Sequence, residues 1–437
     1  MAHSGDAASS WCSFIPHDSI LAFAGKNNLG AEFRATLKNA IDEGDELLAK
    51  VEKSEPLNFA ERGALLPGPS HVSSHEHIVS GEDPDDPDQL TCIIYDAAGQ
   101  DAIPGKATSF ANGEILDPMR YMAIHSTLTK IFQFFDVHFN YKLFKDTGCT
   151  VAVTMNYGQS YMNAHWTGRR VVLGSGKPLL WRDFEFADDI IAHELTHGII
   201  ARTSGLKNSG ESGALQEHLA DVFGILYKNT WYTGDELAGA GDYADAKDCS
   251  WVIGDRLWGR DDHLLAIGPI IGREDVVWKR KPDGRITSVP DPNDPRLKID
   301  RTSPEAVTFA KLPRYVRSFE DPESTMPPQP THYDEFQRNL AYDNGGVHSN
   351  SGIANYAFYT AAMAAGRSPL KGVGVVWFRA MTEPRLGANC TFPRFAAFTV
   401  AYAGRDFPSL VAPIERGWGT VGVEPDAVQG IAASLSN

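Results

Sequence analysis

Two short runs in the first half of the chain are dense in β-branched and apolar residues: Cys92-Ile93-Ile94-Tyr95-Asp96-Ala97 and Thr150-Val151-Ala152-Val153-Thr154-Met155. Their length and composition predict strands. The apolar positions between Met119 and Phe139 predict a helix that separates them. After Asp188 the pattern becomes mainly helical to the end of the chain. The segment Asp188-Asp189-Ile190-Ile191-Ala192-His193-Glu194-Leu195-Thr196-His197-Gly198-Ile199-Ile200-Ala201 is largely apolar, and a second helix is expected from about Ala214 to Tyr227. The chain therefore divides into a β-rich stretch, 90–188, and a helical one, 189–437.

Residues 1–62 read as a separate helical segment, and 63–89 shift to Pro, Gly, Ser, His and Asp, the composition of a flexible linker suited to cleavage. Within the helical part, about 256–312 reads as one long loop carrying several prolines. No internal repeat is found.

One buried stretch carries the chemistry. His193 and His197 are four residues apart, so a helix presents both imidazoles on one face. Charged and imidazole groups are costly to bury in so apolar a helix unless they are paired or bind metal. Glu194 lies beside the first histidine, where it can take a proton from a water on the metal. A catalytic zinc usually has three protein ligands and one open position, and Glu217 is the natural third ligand. Asp221, four residues further along the second helix, is the candidate carboxylate for the other ring N–H of His193. The set points to a zinc hydrolase with one catalytic Zn2+.

The wider text resembles the thermolysin family of neutral metalloproteases. The residues that carry the resemblance are His193-Glu194-Leu195-Thr196-His197, Glu211-Ser212-Gly213-Ala214-Leu215-Gln216-Glu217, Asp221-Val222-Phe223-Gly224, Asn163-Ala164-His165-Trp166, Asp343-Asn344-Gly345-Gly346-Val347-His348 and Arg317-Ser318-Phe319-Glu320-Asp321-Pro322. The resemblance implies an α+β fold of two lobes, with the zinc helix at the floor of the cleft. It implies an endopeptidase in which His348, oriented by Asp343, stabilises the oxyanion. Asn163, Ala164 and Arg317 would hold the substrate backbone, and Phe184, Ile190 and Val316 would line a pocket for the bulky hydrophobic residue after the cut. The N-terminal block is similar to the short propeptide of protealysin-like members, through Ile15-Pro16-His17. That likeness implies a precursor whose own N-terminal segment blocks the cleft. Cys12 beside this motif raises the idea of a thiolate on the open metal position, against a bystander cysteine.

Two departures from the family matter. Asn208 stands where the family has a tyrosine that helps hold the oxyanion, so another donor such as Tyr161, or His348 itself, would carry more of that work. Loss of one such donor typically costs about 100- to 1000-fold in turnover. This keeps open the alternative of a catalytically weak zinc-binding protein with a regulatory role. The family's calcium position is also altered: Asp189 and Asp255 remain, but Lys228 replaces a ligand, so Ca2+ is expected to be absent or weak. A lysine ammonium can neutralise Asp189 and Asp255 directly.

Composition narrows the partners. A net charge of −16 argues against nucleic acid and anionic membranes. No apolar run is long enough to span a bilayer, and the first residues lack the basic and apolar parts of a signal peptide. Five scattered cysteines, an odd number, suit a reduced interior. The expectation is a monomer that acts on peptides or proteins, cytoplasmic or exported without a leader.

Overall fold

The computed structural model describes residues 12–15, 90–108, 118–158, 161–175, 184–231, 244–257, 315–325, 327–338, 340 and 342–435, with the backbone of 276–280 and 286–290. The helices expected between 16 and 62 and the linker expected over 63–89 lie outside the described residues.

The first part is built on a six-stranded sheet. Its strands are β1 (Cys12–Ser13), β2 (Thr91–Asp96), β3 (Lys106–Ala107), β4 (Thr150–Tyr157), β5 (Ala164–Trp166) and β6 (Arg170–Gly174), in the spatial order β1-β5-β6-β4-β2-β3. Helix α1 (Pro118–Phe139) lies between β2 and β4 in the chain, and those two strands run parallel, as do β4 and β6. Parallel neighbours need a long crossover, which α1 provides for β2 and β4. Val151 to Met155 of β4 are all buried, so this central strand is covered on both faces and shows an unbroken apolar run instead of an alternating one. The short β5 runs antiparallel to β6 and carries β1 on its outer side.

The second part is helical: α2 (Asp188–Arg202), α3 (Gly210–Trp231), α4 (Asp343–Ala365), α5 (Val373–Met381), α6 (Phe392–Asp406), α7 (Val411–Thr420) and α8 (Val428–Leu435). Every residue of α2 from Asp189 to Ile200 is buried, which makes it the central helix. It packs on α3 on one side and on β5 on the other. Gly224 permits the close approach of α3, because a Cβ there would lie 2.7 Å from the Asp189 carbonyl oxygen. A two-stranded piece, β7 (Val252–Ile253) with β10 (Arg317–Ser318), packs against α3. The stretch expected as one long loop contains a hairpin, β8 (Val276–Arg280) with β9 (Ile286–Pro290).

Candidate active site

Helix α2 places His193 and His197 one turn apart, with their Nε2 atoms 3.1 Å from each other. Helix α3 brings Glu217 across to them, its Oε2 3.6 Å from His193 Nε2 and its Oε1 3.6 Å from His197 Nε2. All three side chains are buried. Zinc–nitrogen and zinc–carboxylate bonds of about 2.0–2.1 Å in a tetrahedron set the ligand atoms about 3.3 Å apart. The separations found here, 3.1 and 3.6 Å, match that spacing, and two imidazoles with one carboxylate form a suitable donor set. These residues fit a zinc ion.

Asp221 lies where expected, with Oδ1 3.0 Å from His193 Nδ1. It also receives Arg317 through two bonds, Nε to Oδ2 at 2.7 Å and Nη2 to Oδ1 at 2.6 Å. Burial alone would raise the Asp221 carboxyl, but Arg317 and His193 outweigh it and hold the group far below the usual carboxylate range. Glu217 is likewise held well below its ordinary value, because His348, His197 and His193 outweigh its burial. Glu194 behaves differently: burial pushes it up to about 8, with His193 opposing and Glu217 adding to the rise. A nearby divalent cation would draw that value down toward neutrality, where a carboxylate can both take and return a proton.

His348 enters from α4. The residues before it, Asp343, Asn344, Gly345 and Gly346, all have positive φ, between 47° and 90°, and form a left-handed turn. Asn and Gly tolerate that region best, which explains Asn344-Gly345-Gly346. The turn carries Asp343 back to the helix start, where Oδ2 accepts from the His348 backbone N–H at 3.0 Å and Oδ1 pairs with His348 Nδ1. His348 Nε2 is thereby directed inward, 3.2 Å from Glu217 Oε2.

Asn163, Ala164 and Arg317, expected from the sequence to hold substrate, gather around residues 12–15. Ser13 lies opposite His165 and Cys12 opposite Trp166, so the segment extends the sheet edge as a strand. The Phe14 N–H donates to the Ala164 carbonyl at 2.9 Å, and the Ile15 N–H donates to Asn163 Oδ1 at 2.9 Å. Asn163 Nδ2 returns a bond to the Ile15 carbonyl at 3.3 Å, and Arg317 Nη1 donates to the Phe14 carbonyl at 2.7 Å. The Phe14 ring is fully buried, edge-on to His193 at 4.9 Å. Phe184, Ile190 and Val316 are buried in the same apolar cluster as Phe14.

Asp189, Lys228 and Asp255 also come together. Lys228 Nζ lies 2.5 Å from Asp255 Oδ1, 2.9 Å from the Val252 carbonyl and 3.8 Å from Asp189 Oδ2. Asp189 Oδ2 also accepts the Gly254 N–H at 2.9 Å.

Tyr161 is engaged elsewhere. Its hydroxyl lies 3.3 Å from His165 Nδ1, and its ring packs with Tyr157 in a separate small cluster with Ala97 and Val172. Three residues carry no signal of their own in the sequence: Phe14, buried edge-on to His193, Gln329, whose Nε2 donates to the His348 carbonyl at 2.6 Å, and Asn355, which donates to Asp221 at 3.0 Å. No spacing rule could have flagged Gln329 or Asn355, because both act across long stretches of chain. The proximity of Phe14 to Ile15-Pro16 was the only available hint.

Comparison with known proteins agrees with this geometry. The family model "Thermolysin metallopeptidase, catalytic domain" matches residues 85–201, and "Thermolysin metallopeptidase, alpha-helical domain" matches 204–267 and 305–423. An extracellular metalloprotease of Pectobacterium carotovorum subsp. carotovorum is 32% identical over 80% of this chain and 84% of its own length. Protease PrtS of a Photorhabdus species is 29% identical over 81% of this chain and 82% of its own length. Among solved structures, the precursor of protealysin, a metalloproteinase from Serratia proteamaculans, shares the fold with a TM-score of 0.59 at 24% identity, covering 80% of this chain and 92% of that one. No helix among the described residues is long and apolar enough to cross a membrane. With the His193, His197 and Glu217 group at its centre and both halves matched, this chain belongs to the thermolysin family of metallopeptidases.

Proposed function

We propose that this chain is a zinc-dependent endopeptidase, made as a self-inhibited precursor, that cuts on the N-terminal side of bulky hydrophobic residues. The observation that carries the proposal is the seating of residues 12–15. They lie along Ala164–Trp166 as an added strand, with Phe14 buried against His193 and its carbonyl held by Arg317. Added strands are a general mode of peptide recognition, in which backbone bonds supply affinity and pockets supply specificity. A segment held this way denies the cleft to any other peptide.

A Zn2+ held by His193, His197 and Glu217 would supply a Lewis acid for the peptide carbonyl and would acidify water. Glu194 takes the proton of the attacking water and returns it to the departing amine. His348, fixed by Asp343, donates to the developing oxyanion through Nε2. Asn163, Ala164 and Arg317 hold the substrate backbone with the bonds that now hold Phe14 and Ile15. At Asp189 and Asp255 the Lys228 ammonium takes the place of a calcium ion, so calcium is not required there.

The test is intact mass over time for the full-length protein beside Glu194→Ala, followed by turnover of an end-blocked peptide containing one phenylalanine. Loss of the N-terminal segment in the wild type alone, with a cut before phenylalanine, supports the proposal. Stoichiometric zinc without turnover, even after the segment is removed, would favour the silent zinc-binding reading instead.

A further inference from the structure

Three buried hydrogen bonds form a line from the interior of the helical part to Asp221, which faces His193. Trp377 Nε1 donates to His218 Nε2 at 2.8 Å, and His218 Nδ1 lies 2.8 Å from Asn355 Oδ1. Asn355 Nδ2 donates to Asp221 Oδ2 at 3.0 Å, and Asp221 Oδ1 faces His193 Nδ1 at 3.0 Å. Trp377, His218, Asn355, Asp221 and His193 are each 0% exposed.

Donor chemistry sets the sense of every link. An indole N–H can only donate, so His218 Nε2 must accept and the ring proton resides on Nδ1. That N–H faces the Asn355 oxygen, which leaves the amide nitrogen for Asp221. Reversing a link would oppose two donors or two acceptors among side chains that are all fully buried, leaving polar groups unsatisfied. The line is therefore polarised in one direction, toward the Asp221 carboxylate.

At Asp221 the line meets two functional groups. Oδ1 serves His193 and Arg317 Nη2, while Oδ2 serves Arg317 Nε and Asn355. Arginine fixes a carboxylate only along its own plane. The Asn355 bond adds a third point from another helix. We propose that Trp377, His218 and Asn355 are positioning residues that hold the Asp221 carboxylate in the orientation that receives the His193 N–H, and so set how tightly the zinc ion is retained. This rests on the zinc reading of the site given above.

The experiment measures zinc affinity by competition with a chromophoric chelator. It uses full-length protein carrying Glu194→Ala so that the chain stays whole, alone and with Asn355→Leu or Trp377→Phe. Removing a partner that orients a metal ligand typically costs 10- to 100-fold in metal affinity. Asn355→Leu is expected to weaken zinc binding by about tenfold, the lower end of that range, because it acts through Asp221. Trp377→Phe keeps an aromatic ring but removes the N–H. It should weaken zinc binding to a smaller extent and release His218 from its Nδ1–H tautomer, read by 15N shifts of labelled histidine. A core role alone would lower the melting temperature and leave the zinc affinity of the folded protein unchanged. Affinities within a factor of two of the parent would overturn the proposal, whatever the melting temperature. Should Asn355→Leu fail to fold, Trp377→Phe decides by itself. A parent that takes up no zinc overturns the zinc reading and this inference together, whereas a zinc-loaded parent with unaffected variants overturns this inference alone.

Discussion

Arg317 grips Phe14 twice: its guanidinium carbon lies 4.2 Å from the centre of the Phe14 ring, and Nη1 donates to the Phe14 carbonyl at 2.7 Å. The same guanidinium is locked to Asp221, which also faces His193. The N-terminal segment is thus tied through one arginine to the carboxylate that faces His193.

The first prediction concerns that grip. Truncating a buried phenylalanine typically costs about 3–5 kcal/mol, and here the loss would fall on the docking of residues 12–15. Phe14→Ala should therefore raise the hydrolysis rate of an end-blocked peptide by uncut full-length protein at least tenfold, and should hasten loss of the segment. Glu194→Ala combined with Phe14→Ala should stay whole and inactive. An unchanged rate while the segment is still attached would count against Phe14 as the inhibitory contact.

His348 and Asp343 are expected to act on the reaction and not on the metal. His348→Ala should lower kcat by about 100- to 1000-fold, the usual loss for one oxyanion donor, with KM and zinc content little changed. Asp343→Asn should give a smaller loss, because it disturbs the aim of His348 without removing the ring. With Asn208 in place of a tyrosine, the dependence on His348 is expected at the upper end of that range. Loss of zinc in His348→Ala would show that the histidine supports the metal group instead.

Much of this site was legible before the structure because its chemistry is local. His193 and His197 need only a helix to meet, and Glu217 and Asp221 share one turn of the next helix. The strands Thr91–Asp96 and Thr150–Tyr157 and the helix Pro118–Phe139 announced themselves by sustained apolar patterns. What remained hidden has no local signature. Phe14 is a single apolar side chain in a two-residue strand's wake, with no periodicity to mark it, and its partners Asn163 and Arg317 lie far along the chain. His218 carries no motif or spacing that marks it, yet it is fixed by Asn355, 137 residues away, and by Trp377. Tyr161 was a plausible donor by type, but its hydroxyl meets His165 and its ring packs with Tyr157, contacts that no local pattern announces.

A pH prediction follows from His138 in the last turn of α1. Its ring packs against Phe134 at 5.5 Å, and burial, helped by Lys371, lowers its pKa to about 4. The folded state therefore binds fewer protons than the unfolded state between about pH 4 and the ordinary histidine value near 6.5. Stability from this group is fully present above pH 6.5 and is lost as the pH falls toward 4. Allowing for partial solvent screening, about 1 kcal/mol should disappear between pH 7 and pH 5. His138→Gln should abolish that share, so chemical denaturation of the two proteins should converge or cross on acidification. A wild-type to variant difference that stays constant from pH 7 to pH 5 would contradict this account.

The last prediction concerns the cation at the base of α2. Lys228 is buried with Asp189, and its ammonium contacts Asp255 and the Val252 carbonyl. This places one fixed positive charge among two carboxylates and a carbonyl oxygen, the ligand types calcium takes. Because the charge is covalently attached, the melting temperature of the wild type should not respond to millimolar calcium. Lys228→Met removes the charge and leaves Asp189 buried without it, a change that typically costs about 3–5 kcal/mol. Lys228→Glu adds a third carboxylate, so its lowered melting temperature should rise again with calcium, by the amount that ligand binding to the folded state alone allows. Thermal melts of the three proteins with and without calcium decide the matter. A wild type that melts several degrees higher in calcium would show that the lysine does not replace the ion, and a Lys228→Met variant as stable as the wild type would show that the buried charges did not need it.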